Sequence, residues 1–236
     1  IMKIALIGYG KMGKMIEEIA LERKHTISSV IDSDNWDINQ LSDIDVAVDF
    51  SVPKAAAINI SKCVNANVPI VVGTTGWYKD LEKVIKEVDA KNGAILTATN
   101  FSIGVNIFYE INKKLAALMD ANGQYDVNVK EIHHLHKLDA PSGTAISIAE
   151  GIIDNLDRKD SWKNDLIVLE NELAVESIRT EDVPGTHVVK YESDIDFIEI
   201  KHEAKNRKGF AFGAVLAAEY IRGKKGVFTM KDVLSF

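Results

Sequence analysis

Residues 2–13 read Met-Lys-Ile-Ala-Leu-Ile-Gly-Tyr-Gly-Lys-Met-Gly, and the architecture of the chain follows from them. The first six residues form a short apolar run, which predicts a buried strand. The glycines have the spacing G-x-G-x-x-G, and an amphipathic helical pattern begins directly after them. A strand, a glycine loop and a helix in this order cradle the pyrophosphate of a dinucleotide. The sequence therefore predicts a dinucleotide site formed by Gly8, Tyr9, Gly10, Lys11, Met12 and Gly13.

A second strand is predicted at residues 26–31, and Asp32 follows it. In the dinucleotide fingerprint an acidic residue about twenty positions beyond the glycines binds the adenosine ribose hydroxyls. A carboxylate would repel the 2′-phosphate of NADPH, and Ser33 and Asp34 follow it rather than an arginine. We therefore expect NADH to be favoured over NADPH. The alternative is that Asp32 merely ends a strand and caps a turn.

Three further apolar runs, at residues 45–50, 69–72 and 93–98, predict buried parallel strands. Open α/β sheets bind their ligands at the carboxyl ends of their strands. We therefore expect the loops at 73–77 and 99–106 to lie at the ligand-binding edge of this sheet.

The alternation of short strands and helices stops near residue 101. Helices are predicted at 105–119 and 142–156, and mostly strands follow, at 166–169, 174–179, 187–192 and 195–204. Runs of strands with few helices indicate a separate α+β layer. The predicted fold class is α/β, with a Rossmann-like dinucleotide-binding domain and a smaller α+β domain that contains a mixed sheet.

Residues 131–145 read Glu-Ile-His-His-Leu-His-Lys-Leu-Asp-Ala-Pro-Ser-Gly-Thr-Ala. The histidines lie between a predicted strand end and a helix for which Ser142 is the expected N-cap. The N–H groups of the first helical turn would hold an anion such as a carboxylate. Lys137 adds a positive charge, and His133 can donate a proton near neutral pH. This combination indicates an anionic substrate that is both held and protonated, although surface histidines beside an ordinary helix start are the plainer alternative.

The 131–145 segment closely resembles the signature of the dihydrodipicolinate reductase family, which belongs to the diaminopimelate route to lysine. Other segments resemble that family in the same order, among them the glycine loop, Gly-Thr-Thr-Gly at 73–76 and Ala-Thr-Asn-Phe-Ser at 98–102. The chain departs from the family pattern at Leu135, where a polar or basic residue is usual, and at Glu181, where glycine is expected.

The resemblance implies reduction of a small cyclic dicarboxylate by NADH or NADPH. It makes His133 the general acid/base and Lys137 its partner, while His134, Gly143 and Thr144 hold the carboxylates. It adds further cofactor-binding residues: Gly73, Thr74, Thr75, Ala98, Thr99, Asn100 and Phe101.

The resemblance also implies a domain division. Residues 1–102 and 209–236 would bind the dinucleotide, and residues 103–208 would bind the substrate and build a homotetramer through their sheet.

The composition excludes several other partners. A net charge of −7 argues against nucleic acid or an anionic membrane as the main partner. There is no apolar run long enough to span a bilayer and no leader pattern at the start, so the cytoplasm is expected. The single cysteine, Cys63, excludes an internal disulfide and a cysteine-built metal site.

Three other classes of protein stay open at this point. They are another nicotinamide-dependent oxidoreductase acting on a small carboxylate, a non-catalytic NAD(P)-binding redox sensor, and a metal hydrolase. A hydrolase could recruit His134 and His136 with His187 or His202, but the chain has no His-Glu-x-x-His spacing, so no metal is expected.

Overall fold

The structure is a computed structural model that describes residues 1–33 and 35–236. Asp34, noted above beside Asp32, lies outside the described residues. The strands are β1 (Lys3–Ile7), β2 (Thr26–Ile31), β3 (Val46–Asp49), β4 (Ile70–Val72), β5 (Ala94–Thr97), β6 (Asp126–His134), β7 (Ser161–Lys163), β8 (Glu172–Thr180), β9 (Gly185–Glu192), β10 (Phe197–Ala204) and β11 (Gly226–Phe228). The helices are α1 (Lys11–Glu22), α2 (Pro53–Asn65), α3 (Leu81–Ala90), α4 (Ile103–Asp120), α5 (Gly143–Ile153), α6 (Lys208–Ile221) and α7 (Met230–Leu234). None of the helices in the described ranges is long and apolar enough to cross a membrane.

The chain divides into two compact units. The parallel-sheet unit comprises Ile1–Ile103 and Lys208–Phe236, and the mixed-sheet unit comprises Gly104–Arg207. The first contains a six-stranded sheet in the order β11-β5-β4-β3-β1-β2, with every neighbouring pair parallel. One core packs α1 and α6 against the sheet and a second packs α2 and α3, so apolar strands are buried on both faces. This confirms the predicted Rossmann-like fold.

The mixed-sheet unit contains five strands in the order β10-β9-β6-β8-β7. The central strand β6 is parallel to β8 and antiparallel to β9, which makes the sheet mixed, as predicted. Alternation along β6 places Val127, Val129, Glu131 and His133 on the buried face, where α4 and α5 complete the core.

The predicted strand at 166–169 is wrong. The edge strand is β7, and residues 164–171 form a loop in which Leu166, Ile167 and Leu169 are 66%, 89% and 64% exposed. The buried Lys159 ammonium donates to the carbonyls of Glu170 and Glu172, which anchors the end of this loop. The apolar run resembles a strand in sequence, but three of its four side chains are exposed and only Val168 is half-buried.

Candidate active site

The glycine loop of the parallel-sheet unit has the geometry that its sequence predicts. Gly8 has a φ of 88°, and a Cβ there would lie 2.4 Å from the Phe50 carbonyl oxygen. A Cβ on Gly13 would lie 2.3 Å from the Gly8 carbonyl oxygen, so α1 packs closely on the loop. A Cβ on Gly10 would meet nothing within 4 Å. The loop is therefore closed on the protein side and open where a pyrophosphate would approach the start of α1.

Asp32 both caps a turn and lines a cavity. Its Oδ1 accepts a hydrogen bond of 3.0 Å from the Tyr9 amide, so the turn-capping alternative describes part of its role. A carboxylate has several acceptor positions, and the remaining ones suit ribose hydroxyls. A cavity of about 290 Å³ lies at the carboxyl ends of β1, β2 and β3, where the strand order reverses. Its lining includes Gly8, Tyr9, Gly10, Asp32, Ser33 and Phe50.

The loop after β4 is supported by a buried carboxylate that the sequence reasoning missed. Asp49 is fully buried and accepts hydrogen bonds from the hydroxyls of Thr74 (2.6 Å) and Ser51 (2.7 Å) and from the Asn59 amide (2.8 Å). The Thr74 hydroxyl is thus committed to Asp49, and the Thr74 carbonyl accepts a 2.8 Å hydrogen bond from the Trp77 indole. Thr75 is exposed. The sequence did contain a signal for this buried carboxylate, because Asp49 is an acidic residue at the end of an apolar strand.

The loop after β5 lies at the same edge of the sheet. Asn100 accepts a 2.8 Å hydrogen bond from the Ser102 amide, which shapes the loop that Ala98 and Thr99 begin. Phe101 is buried in the core with its ring 5.6 Å from that of Phe50, so its side chain has a packing role. All the predicted cofactor residues therefore follow β1, β2, β4 or β5 at one edge, where α/β sheets bind ligands.

The mixed-sheet unit brings together a cluster of buried polar residues around His133. Glu131 lies opposite His187 on β9, and His133 lies opposite Arg179 on β8, all on the helix-covered face. Nδ1 of His133 is 3.1 Å from Oε2 of Glu131, although off the line of an ideal hydrogen bond. The rings of His133 and His187 are 5.1 Å apart, and Nε2 of His187 is 3.3 Å from the Ser142 hydroxyl.

Glu131 is the centre of this cluster. It is fully buried, its Oε1 accepts from Arg179 at 3.0 Å, and both of its oxygens lie 3.1 Å from the Ser142 amide. Burial alone would raise the pKa of Glu131, but the interactions with His133, Ser142 and Arg179 outweigh it and hold the pKa well below its usual range. Glu131 is therefore an ionised carboxylate.

His134 and Lys137 occupy different surroundings from His133. Because successive strand residues point to opposite faces, His134 lies away from the cluster, with Nε2 3.4 Å from the Arg207 guanidinium and its ring 6.3 Å from that of His136. Desolvation and then the Arg207 charge lower the pKa of His134. Lys137 pairs with Asp139 at 2.9 Å to both carboxylate oxygens.

Helix α5 begins as predicted. The Ser142 hydroxyl accepts a 3.1 Å hydrogen bond from the Ala145 amide, which confirms it as the N-cap. Gly143 is exposed, and a Cβ there would meet nothing within 4 Å. Thr144 is half-buried in the first turn. The helix start is thus accessible to an anion at the predicted residues.

One group of described residues has ligand atoms close enough to hold a metal ion. These atoms, on Glu131, His133 and His187, lie within 4.8 Å of one another. The Glu131 carboxylate, however, already accepts from Arg179 and Ser142, and a dication would lie beside the Arg179 guanidinium. The donor set therefore fits an ion-paired acid/base cluster better than a metal centre.

Comparison with known proteins covers both units. The family model for the N-terminus of dihydrodipicolinate reductase matches residues 2–101, and the model for its C-terminus matches residues 104–234. A 4-hydroxy-tetrahydrodipicolinate reductase from Christiangramia forsetii is 52% identical, over 99% of this chain and 98% of its own length. One from Thermosipho africanus is 36% identical over the same shares of both chains.

Solved structures show the same fold. Dipicolinate-bound dihydrodipicolinate reductase from Paenisporosarcina sp. TG-14 covers 98% of both chains with a TM-score of 0.75 at 23% identity. Aspartate dehydrogenase from Thermotoga maritima has a TM-score of 0.52 at 14% identity, over 95% of this chain and 98% of its own.

A glycine-loop unit with a parallel sheet, in one chain with a unit that carries a buried cluster of titratable side chains, fits the class of nicotinamide-dependent oxidoreductases. The family models and the full-length relatives identify one family within this class. The chain belongs to the dihydrodipicolinate reductase family and is an NAD(P)H-dependent oxidoreductase.

Proposed function

We propose that the chain reduces 4-hydroxy-tetrahydrodipicolinate to tetrahydrodipicolinate, preferably with NADH, in lysine and diaminopimelate biosynthesis. The reductase activity is that of the family to which the chain belongs. The observation that carries the proposal is the buried cluster around His133 beside the start of α5, because it joins a proton-transfer group to an anion-binding helix end. Dipicolinate, bound by the Paenisporosarcina relative, is a small cyclic dicarboxylate, which supports a substrate of that class.

The substrate carboxylates are held by the start of α5 and by Lys137. The exposed first turn at Gly143 offers backbone N–H donors, and Thr144 adds a hydroxyl. The Lys137 ammonium now faces the Asp139 carboxylate, so a substrate carboxylate would take over that contact. His134 completes the proposed set from the other face of β6.

His133 supplies the proton. When bound, the nicotinamide provides the hydride that adds to the conjugated ring, and the hydroxyl leaves as water. The negative charge that develops on the ring must be neutralised, and the buried His133 ring beside the Glu131 carboxylate supports this role for His133. Lys137 stabilises the same charge electrostatically or donates the proton with it.

NADH is the proposed cofactor because Asp32 lies in the cavity beside the glycine loop. Its carboxylate suits two ribose hydroxyls and would repel a 2′-phosphate. In this proposal residues 1–102 and 209–236 bind the dinucleotide and residues 103–208 bind the substrate. The cytoplasm, where amino-acid biosynthesis draws on the nicotinamide pool, is the proposed compartment.

Self-association through the mixed sheet is the proposed quaternary arrangement, with four copies by family resemblance. The loop 164–171 exposes Leu166, Ile167 and Leu169 beside a cavity of about 1110 Å³ that also borders β6 and β8. If this loop were solvated, its apolar side chains would expose a large apolar surface to water. Packing against another copy of the chain would bury that surface. Light scattering on the wild type and on Ile167→Asp tests this, and a monomeric wild type contradicts it.

The function is tested with purified protein and either NADH or NADPH. The substrate is 4-hydroxy-tetrahydrodipicolinate, made freshly by the synthase that precedes the reductase in the pathway (the synthase product). Consumption of the reduced nicotinamide that requires the synthase product supports the proposal. Nicotinamide binding without turnover would favour the redox sensor. Turnover with a different small carboxylate, and none with the synthase product, would favour another oxidoreductase.

A further inference from the structure

The reaction proposed above uses His133 but leaves the residue behind it, Glu131, without a role. Glu131 is fully buried on the same face of β6, two residues before His133. It is fixed from three directions, since Arg179 holds Oε1, the Ser142 amide lies 3.1 Å from both oxygens, and His187 lies opposite it on β9. The carboxylate therefore cannot turn away from the His133 ring without losing its ion pair with Arg179.

The charge state of Glu131 dictates which ring nitrogen of His133 carries a proton. An ionised carboxylate accepts hydrogen bonds and donates none. Its Oε2 lies 3.1 Å from Nδ1 of His133. A lone pair on Nδ1 would face a negative oxygen at this distance, whereas an N–H group there is attracted to it.

The other ring nitrogen of His133 faces a position occupied by a glycine. A Cβ on Gly185 would lie 3.0 Å from Nε2 of His133 and 3.3 Å from Cδ2. Any other residue at this position would crowd the nitrogen that points away from Glu131. The neighbouring His187 does not compete as a cation, because burial lowers its pKa to about 3.

We propose that Glu131 is a positioning residue that fixes the orientation and tautomer of His133, keeping the proton on Nδ1 and leaving Nε2 to exchange a proton with the substrate. This proposal rests on the role of His133 in the proposed function. In the acid step the imidazolium transfers its Nε2 proton to the substrate carbon that carries the developing charge. The neutral ring then keeps its Nδ1 proton on the Glu131 side, and Nε2 is reprotonated from solvent before the next turnover.

Glu131→Gln tests this with nearly unchanged shape. The Gln oxygen can still accept from Arg179 and Ser142, which turns its NH₂ group toward Nδ1 of His133 and forces that nitrogen to become an acceptor. We expect kcat to fall about 10- to 100-fold, as when the carboxylate behind a metal-bound histidine is removed. KM for NADH should change less than twofold. Glu150→Gln, which removes one charge from the exposed face of α5, is the matched control and should retain wild-type kinetics.

The tautomer is read directly from long-range proton–nitrogen NMR spectra of protein with ¹⁵N-labelled histidine, at a pH where the ring is neutral. The His133 signals are identified by their loss in His133→Gln. Wild type should show the proton on Nδ1, and Glu131→Gln should show it on Nε2. A wild-type ring protonated on Nε2, or a kcat loss in Glu131→Gln without a change of tautomer, overturns the proposal.

Gly185→Ala provides a second variant that leaves Glu131 in place and does not depend on the folding of Glu131→Gln. The added methyl should lower kcat at least several-fold while the Nδ1–H tautomer is retained. Wild-type kcat in Gly185→Ala would show that Nε2 does not face the substrate, which also overturns the proposal. The NMR measurement needs no substrate, so its result separates this inference from the proposed function. Absence of turnover in the wild type would remove the function and leave the tautomer assignment standing.

Discussion

Two helix N-termini in this chain have different surroundings. Helix α1 begins at the glycine loop, with no side chain capping Gly10 and no acidic residue in its first turn. Helix α5 begins with the Ser142 cap, and the buried Glu131 carboxylate already lies at the Ser142 amide. A bare helix end binds a phosphate through backbone donors alone. A helix end that is built into an acid/base cluster positions one ligand group beside a proton donor.

The comparison predicts that cofactor binding depends on the start of α1 and that the chemistry depends on the start of α5. Changes near α1 should alter the affinity for the dinucleotide, and changes near α5 should alter turnover and substrate binding.

His133→Gln should lower kcat by roughly 10²- to 10⁴-fold, the range for loss of a general acid or base. KM for NADH should be nearly unchanged, because the glycine loop and Asp32 belong to the parallel-sheet unit. Steady-state kinetics on variants checked by circular dichroism measure both values. A kcat within twofold of wild type would make His133 an ordinary buried histidine.

Lys137→Met should lower kcat and raise KM for the dicarboxylate, because the ammonium both attracts carboxylates and meets the developing charge. The double variant with His133→Gln should lose less than the product of the two single losses if the two residues act as a unit. Fully multiplicative losses would mean that Lys137 acts independently of His133.

The buried cluster should also make the fold sensitive to acid. The pKa of His187 is lowered to about 3 in the folded protein, against an ordinary value of 6.5. Below pH 6.5 the unfolded chain binds a proton that the folded protein does not, so stability falls as the pH drops from 6.5 toward 3, by about 1.4 kcal/mol per pH unit at most. Denaturant unfolding at several pH values should show a shallower loss in His187→Gln than in wild type. Parallel pH profiles would contradict this.

Thr144→Val removes one hydroxyl at the start of α5 and leaves the backbone donors in place. Because one hydrogen bond contributes about 1 kcal/mol, KM for the dicarboxylate should rise several-fold. NADH affinity, measured by fluorescence titration, should be unchanged. The opposite outcome, weaker NADH binding with an unchanged substrate KM, would move this loop to the cofactor side and break the comparison.

Asp32→Ala should have the smallest effect, and that effect should be confined to the choice between NADH and NADPH. A repulsion of order 1 kcal/mol at a partly exposed site is worth several-fold in KM, so the variant should narrow the preference for NADH over NADPH. Substrate KM and kcat should stay near wild type. A wild type that strongly prefers NADPH would show that the Asp32 carboxylate does not set cofactor choice.

The predicted strand that is wrong failed because the pairing partners of a strand come from elsewhere in the chain. The run at 166–169 has the composition of a strand, but β8 already has β7 as its edge partner, so the run became an exposed loop. Local surroundings likewise depend on tertiary structure: the His133 ring lies against His187 and the His134 ring lies beside Arg207, while the assignment of both residues to one site stays a prediction.

The sequence alone determined the features that depend on residues close to one another along the chain. Gly13 packs on Gly8 and the Ser142 cap holds the Ala145 amide within one loop or one helical turn, and Asp32 meets the Tyr9 amide within one strand–helix–strand unit, so spacing along the chain is sufficient. Only the tertiary structure determined the cluster at His133. Glu131, Arg179 and His187 come from β6, β8 and β9, and they meet because one strand pairs in parallel and the other antiparallel at a particular register. No local pattern encodes that register, since it depends on how three distant segments pack against α4 and α5.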